Sequence, residues 1–131
     1  EARFYRAKAY LAMNQPESAI PDLKTISTET RTVFGAESKY LLASVYFQLG
    51  KLTESENEIM DFAKKNTPHQ FWLARSFVLL ADIYIQKGND FQAKQYLLSL
   101  QRNYTAKDEI QEMISQRLAA IAEREKKKII N

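Results

Sequence analysis

Apolar residues recur at three- and four-residue intervals along most of this chain, and short polar breaks interrupt them. That spacing lays one greasy stripe along each segment, as expected of amphipathic helices. Periodicity and end signals together predict about seven helices. The first spans residues 2–13 and is closed by Asn14, which tolerates the left-handed conformation. The second starts at Pro16 and carries Ala19, Ile20, Leu23 and Ile26; Pro21 removes an interior hydrogen bond and predicts a kink or a shortened helix. A third covers residues 33–49 and stops at Gly50. Thr53 and Glu56 have the spacing of a capping box for the fourth, whose inner face is Ile59, Phe62 and Ala63. Thr67-Pro68 opens a fifth that runs to about residue 87, before Gly88. The sixth begins at Asn89 or Asp90 and carries Phe91, Ala93, Leu97 and Leu100. Thr105 and Asp108 form a second capping signature before the seventh, with Ile110, Met113, Ile114, Leu118 and Ile121 on one face.

These helices repeat. Residues 6–10 read Arg-Ala-Lys-Ala-Tyr, residues 42–46 Leu-Ala-Ser-Val-Tyr and residues 80–84 Leu-Ala-Asp-Ile-Tyr, so the tyrosines Tyr10, Tyr46 and Tyr84 recur at 36 and 38 residues. Nine positions after each comes a small residue, Ala19, Ser55 or Ala93. The turns align as well: Met13-Asn14-Gln15, Leu49-Gly50-Lys51 and Lys87-Gly88-Asn89. Leu118-Ala119 and Ala122 stand 38 residues after Leu80-Ala81 and Tyr84, which makes helix seven the leading helix of an incomplete fourth copy. Its other face holds Glu112, Gln116, Arg117, Glu123, Arg124 and Glu125, a polar surface suited to a terminal repeat. A period in this range predicts an all-α solenoid of antiparallel helix pairs, in which no unit buries its apolar face alone. The expected repeats are residues 1–31, 37–66 and 68–104, with a capping helix at 106–128, all in one solenoid.

The frame resembles the tetratricopeptide repeat, a helix–turn–helix unit of about 34 residues. Leu42-Ala43, Tyr46, Gly50, Ser55, Ile59 and Phe62 fill its pattern in the second copy. Leu80-Ala81, Tyr84, Gly88, Ala93, Leu97 and Leu100 fill it in the third, and Arg6-Ala7, Tyr10, Asn14, Ala19, Leu23 and Ile26 fill it more loosely in the first. The resemblance implies a right-handed superhelix with a concave groove that binds a protein or peptide partner. Arg31, Thr67 and Thr105 replace the family's usual proline, and the linkers are two to four residues longer than standard. That elongation, with the run from Thr67 to Trp72, is similar to bacterial cell-envelope members such as outer-membrane assembly lipoproteins and the periplasmic coordinators of the Tol–Pal system. The compartment stays open between the periplasm or cell envelope and the cytoplasm.

Composition narrows the functions further. At 131 residues with 45% apolar content, the chain has enough material for a core. Its net charge is only +3, and much of the surplus sits in Arg124 and Lys126 to Lys128, which read as a solvated helix end that suits the dipole; no nucleic-acid partner is expected. No apolar run approaches the ~20 residues of a membrane span. There is no cysteine and one histidine, His69, too few parts for a thiolate or histidine metal site or a Ser/His triad. Carboxylates scatter along polar faces beside Lys or Arg, as in Glu58, Asp61 and Lys65. The three glycines read as isolated turn residues, so no phosphate loop is present. Catalytic residues, metals and cofactors are therefore not expected, and a binding scaffold is. Because Glu1 already falls inside the first repeat, the chain reads as the C-terminal part of a longer protein.

Leu42, Ala43 and Tyr46 form the inner stripe of their helix and are expected in the core. A second stripe runs through Phe4, Lys8 and Leu11, then Tyr40, Ser44 and Phe47, then Val78, Asp82 and Ile85. By the resemblance these positions line the groove, with Arg75 beside them; Lys8, Arg75 and Asp82 would adjust specificity. The competing reading is that neighbouring leading helices cover the stripe. Family members that clamp a C-terminal carboxylate place Lys and Asn at matching positions, and this chain does not, so no clamp is expected. Trp72 reads as packing the long linker onto the stack, or alternatively as an interface anchor. The alternative functions are a structural spacer, self-association through an N-terminal edge exposing Phe4 and Tyr5, or service to an enzyme encoded upstream.

Overall fold

Each repeated tyrosine places its backbone carbonyl at the same point of a helix-ending turn. In the computed structural model, which describes residues 1–130, the amide of Gln15 donates to the Tyr10 carbonyl at 2.9 Å. Those of Lys51 and Asn89 donate to Tyr46 and Tyr84, both at 2.8 Å. The residue before each donor has a positive φ: 58° at Asn14, 77° at Gly50 and 79° at Gly88. One left-handed residue turns the chain back so that the next amide caps the helix it has just left. Glycine adopts that conformation without a Cβ penalty and asparagine tolerates it. The turns join α1 (Ala2–Ala12) to α2 (Pro16–Ile26), α3 (Val33–Gln48) to α4 (Leu52–Ala63), and α5 (Gln70–Gln86) to α6 (Asp90–Asn103); α7 (Glu109–Ile130) follows. The described residues hold these seven helices and no strand.

Several helix ends differ from expectation. The Thr53–Glu56 capping box does not form: α4 begins at Leu52 after Lys51, without a side-chain cap, and Thr53 lies inside its first turn. The tight turn at Gly50 already delivers the chain to helical geometry, so the residue whose amide closes α3 also precedes α4. Thr67-Pro68 does not open α5, which starts at Gln70. The Thr67 hydroxyl instead donates to the Thr30 carbonyl at 2.6 Å and accepts from the His69 amide at 3.1 Å, which holds the segment in a turn. Before α7, Asp108 acts without Thr105: its carboxylate accepts from the Ile110 amide at 2.9 Å. Pro21 does not shorten α2, which runs on to Ile26. Pro21 and Glu17 are exposed, so the carbonyl that lost its donor faces water. Gly35 is not a turn residue but lies in the first turn of α3, where its amide bonds the capping Thr32 hydroxyl at 2.9 Å.

The chain divides into two compact units, Glu1–Ser76 and Phe77–Asn131. In the first, α1 packs on α2, α2 on α3 and α3 on α4. Ala7, Ala19, Leu23, Leu42, Val45 and Tyr46 form a buried cluster, with Tyr10, Leu11 and Ile20 packed against it. Small residues let the helix axes approach: Ala19 and Ser55 are fully buried, and the Ser55 hydroxyl donates across to the Ala43 carbonyl at 2.7 Å. Removing a full-size member of this cluster would cost about 2–5 kcal/mol. Where the second copy has Leu42, the first has Arg6, whose guanidinium holds the buried Asp22 through two bonds of 2.7 and 2.6 Å. The Arg6 hydrogen bond pulls the Asp22 carboxyl below its ordinary value.

In the second unit, α6 packs on α7, and Leu80, Ile83, Ala93, Leu97, Ile110, Ile114 and Ile121 are buried. Phe77 and Tyr84 both stack on Tyr96, at 6.4 and 5.7 Å between ring centroids. The charged face expected on α7 is partly engaged. Arg117 holds Asp82 with bonds of 2.7 and 3.0 Å, Arg124 holds Asp90 at 2.7 and 3.1 Å, and Lys94 reaches Glu125 at 3.3 Å. Ala119, unlike its counterparts Ala43 and Ala81, is exposed, because among the described residues no further helix covers it.

Candidate functional site

The expected groove residues fall into distinct environments. Phe4 is only 5% exposed, with the Phe34 ring 4.8 Å and the Tyr5 ring 5.5 Å from its own. Lys8 bonds Glu37 at 2.8 Å and sits 5.5 Å over the Phe4 ring, which ties α1 to α3. Leu11 is half-buried against the core cluster. Ser44 and Phe47 are half-buried. In the second unit Val78 is buried and Ile85 half-buried, while the Asp82 charge is matched by Arg117.

Tyr40 and Arg75 are brought together, and Trp72 joins them. The half-buried Tyr40 of α3 lies 5.7 Å from Trp72 of α5, and Phe71 meets Trp72 edge-on at 5.0 Å. The Arg75 guanidinium lies over the Tyr40 ring at 4.9 Å and near the Trp72 ring at 6.0 Å. One helical turn separates Trp72 from Arg75, so both project from the same side of α5 toward α3. The aromatic faces attract the cation, and the cation holds the rings in place. Trp72 thus packs onto the neighbouring leading helix, and the long linker is fixed by other contacts, Thr67 to Thr30 and the His69 ring nitrogen to the Arg31 carbonyl at 2.9 Å. Two aromatic rings against a cation, with Phe71 edge-on to one of them, can bury apolar side chains and orient an acidic one.

A concavity of about 240 Å³ opens elsewhere in the first unit among Lys24, Ser27, Thr28, Lys39, Leu42, Glu58, Asp61 and Lys65. At its base the Lys39 ammonium, 5% exposed, bonds Glu58 at 2.8 Å and Asp61 at 2.7 Å. Burial works against this charge, but the bonds to Asp61 and Glu58 outweigh it and the Lys39 pKa is raised. The Lys39 bond in turn lowers that of Asp61. Glu58, Asp61 and Lys65 are therefore not only a solvated helix pair; two of them bind a buried lysine across the helix interface. Sequence reasoning missed Lys39, although the repeat register contained the signal. Lys39 and Glu58 align with Phe77 and Tyr96, so a site filled by stacked rings in one copy is filled by an ion pair in another.

Among the described residues no cluster of His, Cys, Asp or Glu could hold a metal ion, and no helix is long and apolar enough to cross a membrane. Two family models, each described as tetratricopeptide repeat, match residues 36–62 and 70–105. The first covers the α3–α4 pair and the second the α5–α6 pair. No curated protein and no solved structure matches the chain.

Proposed function

We propose, from the premise that residues 36–62 and 70–105 are tetratricopeptide repeats, which generally mediate contacts between proteins, that this chain is a non-catalytic interaction module binding a peptide or partner helix along its leading helices. The observation that carries the reading is the Tyr40–Trp72–Arg75 assembly. It joins two successive leading helices and keeps large aromatic groups half-buried, where a partner can cover them. Aromatic and arginine side chains in such settings dominate the energy of protein interfaces. Ser44 and Phe47 extend the face along α3, one and two turns beyond Tyr40. Phe4 and Val78 are buried and so do not offer contact surface themselves.

The test compares wild-type protein with a Tyr40→Glu, Phe47→Glu variant in capture experiments, after circular dichroism shows equal helix content. A partner retained by wild type and lost from the variant supports the face as the binding site. Equal capture by both refutes it. A second reading, self-association, is favoured by Tyr5 at 59% and Val33 at 49% exposure near the Phe4–Phe34 pair. It predicts a mass that rises with protein concentration in sedimentation and a Tyr5→Glu variant that stays monomeric.

A further inference from the structure

We infer that Arg75 is a recognition cation that selects an acidic side chain, Asp or Glu, flanked by apolar residues in the partner peptide; this rests on the binding-face reading above. The inference comes from a contrast within the molecule. The other cations seen to reach across to a second helix find a carboxylate there: Arg6 holds Asp22, Lys8 Glu37, Lys39 Glu58 and Asp61, Lys94 Glu125, Arg117 Asp82, and Arg124 Asp90. Arg75 reaches across to α3 and finds rings instead, Tyr40 at 4.9 Å, with Trp72 of its own helix at 6.0 Å. Among the described residues no carboxylate lies within ion-pair distance of it.

The chemistry of guanidinium makes this arrangement selective. Its five N–H donors lie in the plane of the group, and stacking uses only the faces. A guanidinium lying on aromatic rings therefore keeps its edge for an acceptor arriving in that plane. It is also held in one orientation before the partner binds, so little further side-chain entropy is lost. Because Arg75 is half-buried against Tyr40 and Trp72, a docked peptide would withdraw it further from water. An apolar peptide would then leave a desolvated cation without an anion, an unfavourable state, whereas a carboxylate accepts two parallel bonds. The aromatic rings supply contact area and Arg75 supplies the discrimination between peptides.

Trp72 is the only tryptophan, so its emission reports on this site directly. The probe is a random peptide library displayed on phage and panned against the full chain. Selected peptides are then synthesised with the acidic residue intact or replaced by the corresponding amide, and titrated by Trp72 fluorescence. The expected result is enrichment of one Asp or Glu between apolar residues. Amidation should weaken binding to wild type about tenfold, as for loss of a charge-assisted bidentate contact. In Arg75→Gln the acid and amide peptides should bind equally, and Arg75→Lys should restore part of the preference. Selected peptides without an acid, or an amidation penalty that persists in Arg75→Gln, would overturn the inference while leaving the binding face intact. If selected peptides bind Tyr40→Glu as tightly as wild type, or if Trp72 emission shifts with protein concentration alone, the face itself is wrongly assigned or occupied by a second copy, and the inference falls with it.

Discussion

Replacing Gly35 with alanine ought to stabilise a helix, and in this protein it should do the opposite. Alanine is favoured over glycine inside helices by about 1 kcal/mol. A Cβ built on Gly35, however, would stand 1.7 Å from the Glu29 carbonyl oxygen and 2.9 Å from the Thr32 hydroxyl, where ordinary contact begins at 3.4 Å. The first obstacle is backbone, so no side-chain rotation relieves it. The same carbonyl accepts the Thr32 hydroxyl at 3.1 Å, and that hydroxyl accepts the Gly35 amide, so moving the segment apart also disturbs the cap of α3. Overpacking costs about 1–3 kcal/mol and a damaged cap about 1 kcal/mol more, against the propensity gain. We expect Gly35→Ala to lose about 2 kcal/mol, roughly 8 °C in Tm for a chain of this length. Urea titration followed by Trp72 fluorescence would read the effect, because Trp72 belongs to the same unit as Gly35. Gly50→Ala is the comparison: its Cβ would meet nothing within 4 Å, and only the φ of 77° opposes it, at about 1 kcal/mol. A Gly35→Ala protein as stable as wild type, or one no worse than Gly50→Ala, would refute the steric argument.

Three further outcomes are expected. Lys39→Ala should cost about 1–3 kcal/mol by chemical denaturation, because it leaves Glu58 and Asp61 facing each other without their cation; the figure is below that of a fully buried pair since both carboxylates are partly solvated. Ser38→Ala should be neutral or stabilise by about 1 kcal/mol, since the Ser38 hydroxyl is fully buried without a hydrogen-bond partner among the described residues. Asp22, Asp61 and Asp90 all have pKa values depressed below the ordinary 3.8 by bonds from Arg6, Lys39 and Arg124. Their contribution is therefore fully present above about pH 4–5 and disappears as pH falls through the folded values. Thermal melts should be flat near neutrality and decline only below about pH 4, and Asp22→Asn should make that acid limb shallower.

Legibility in the sequence followed the range of the interaction. The three turns were readable because all their chemistry, a positive-φ residue and the amide after it, lies within six residues of the tyrosine that accepts the bond. The inner stripe of Leu42, Ala43 and Tyr46 was readable because helical periodicity states which side is apolar, and all three are buried. The capping boxes at Thr53 and Thr105 had the right spacing but the wrong register, since tertiary contacts and turn closure placed the helix starts elsewhere.

The sequence by itself determined the repeat, its period and the helix pairs, all of which depend on local conformational preference and on apolar spacing. Only the tertiary structure decided which charges are partners and which positions are close. Lys39 reaches Glu58 and Asp61, 19 and 22 residues away, and Arg117 reaches Asp82 across 35 residues. Gly35 is required by a carbonyl in the preceding loop, and Arg75 is left with aromatic rings instead of an anion. The physical reason is that charge pairing, steric exclusion and ring stacking depend on distances of a few ångströms between helices. A one-dimensional pattern specifies which face of each helix turns inward, but not what stands opposite it.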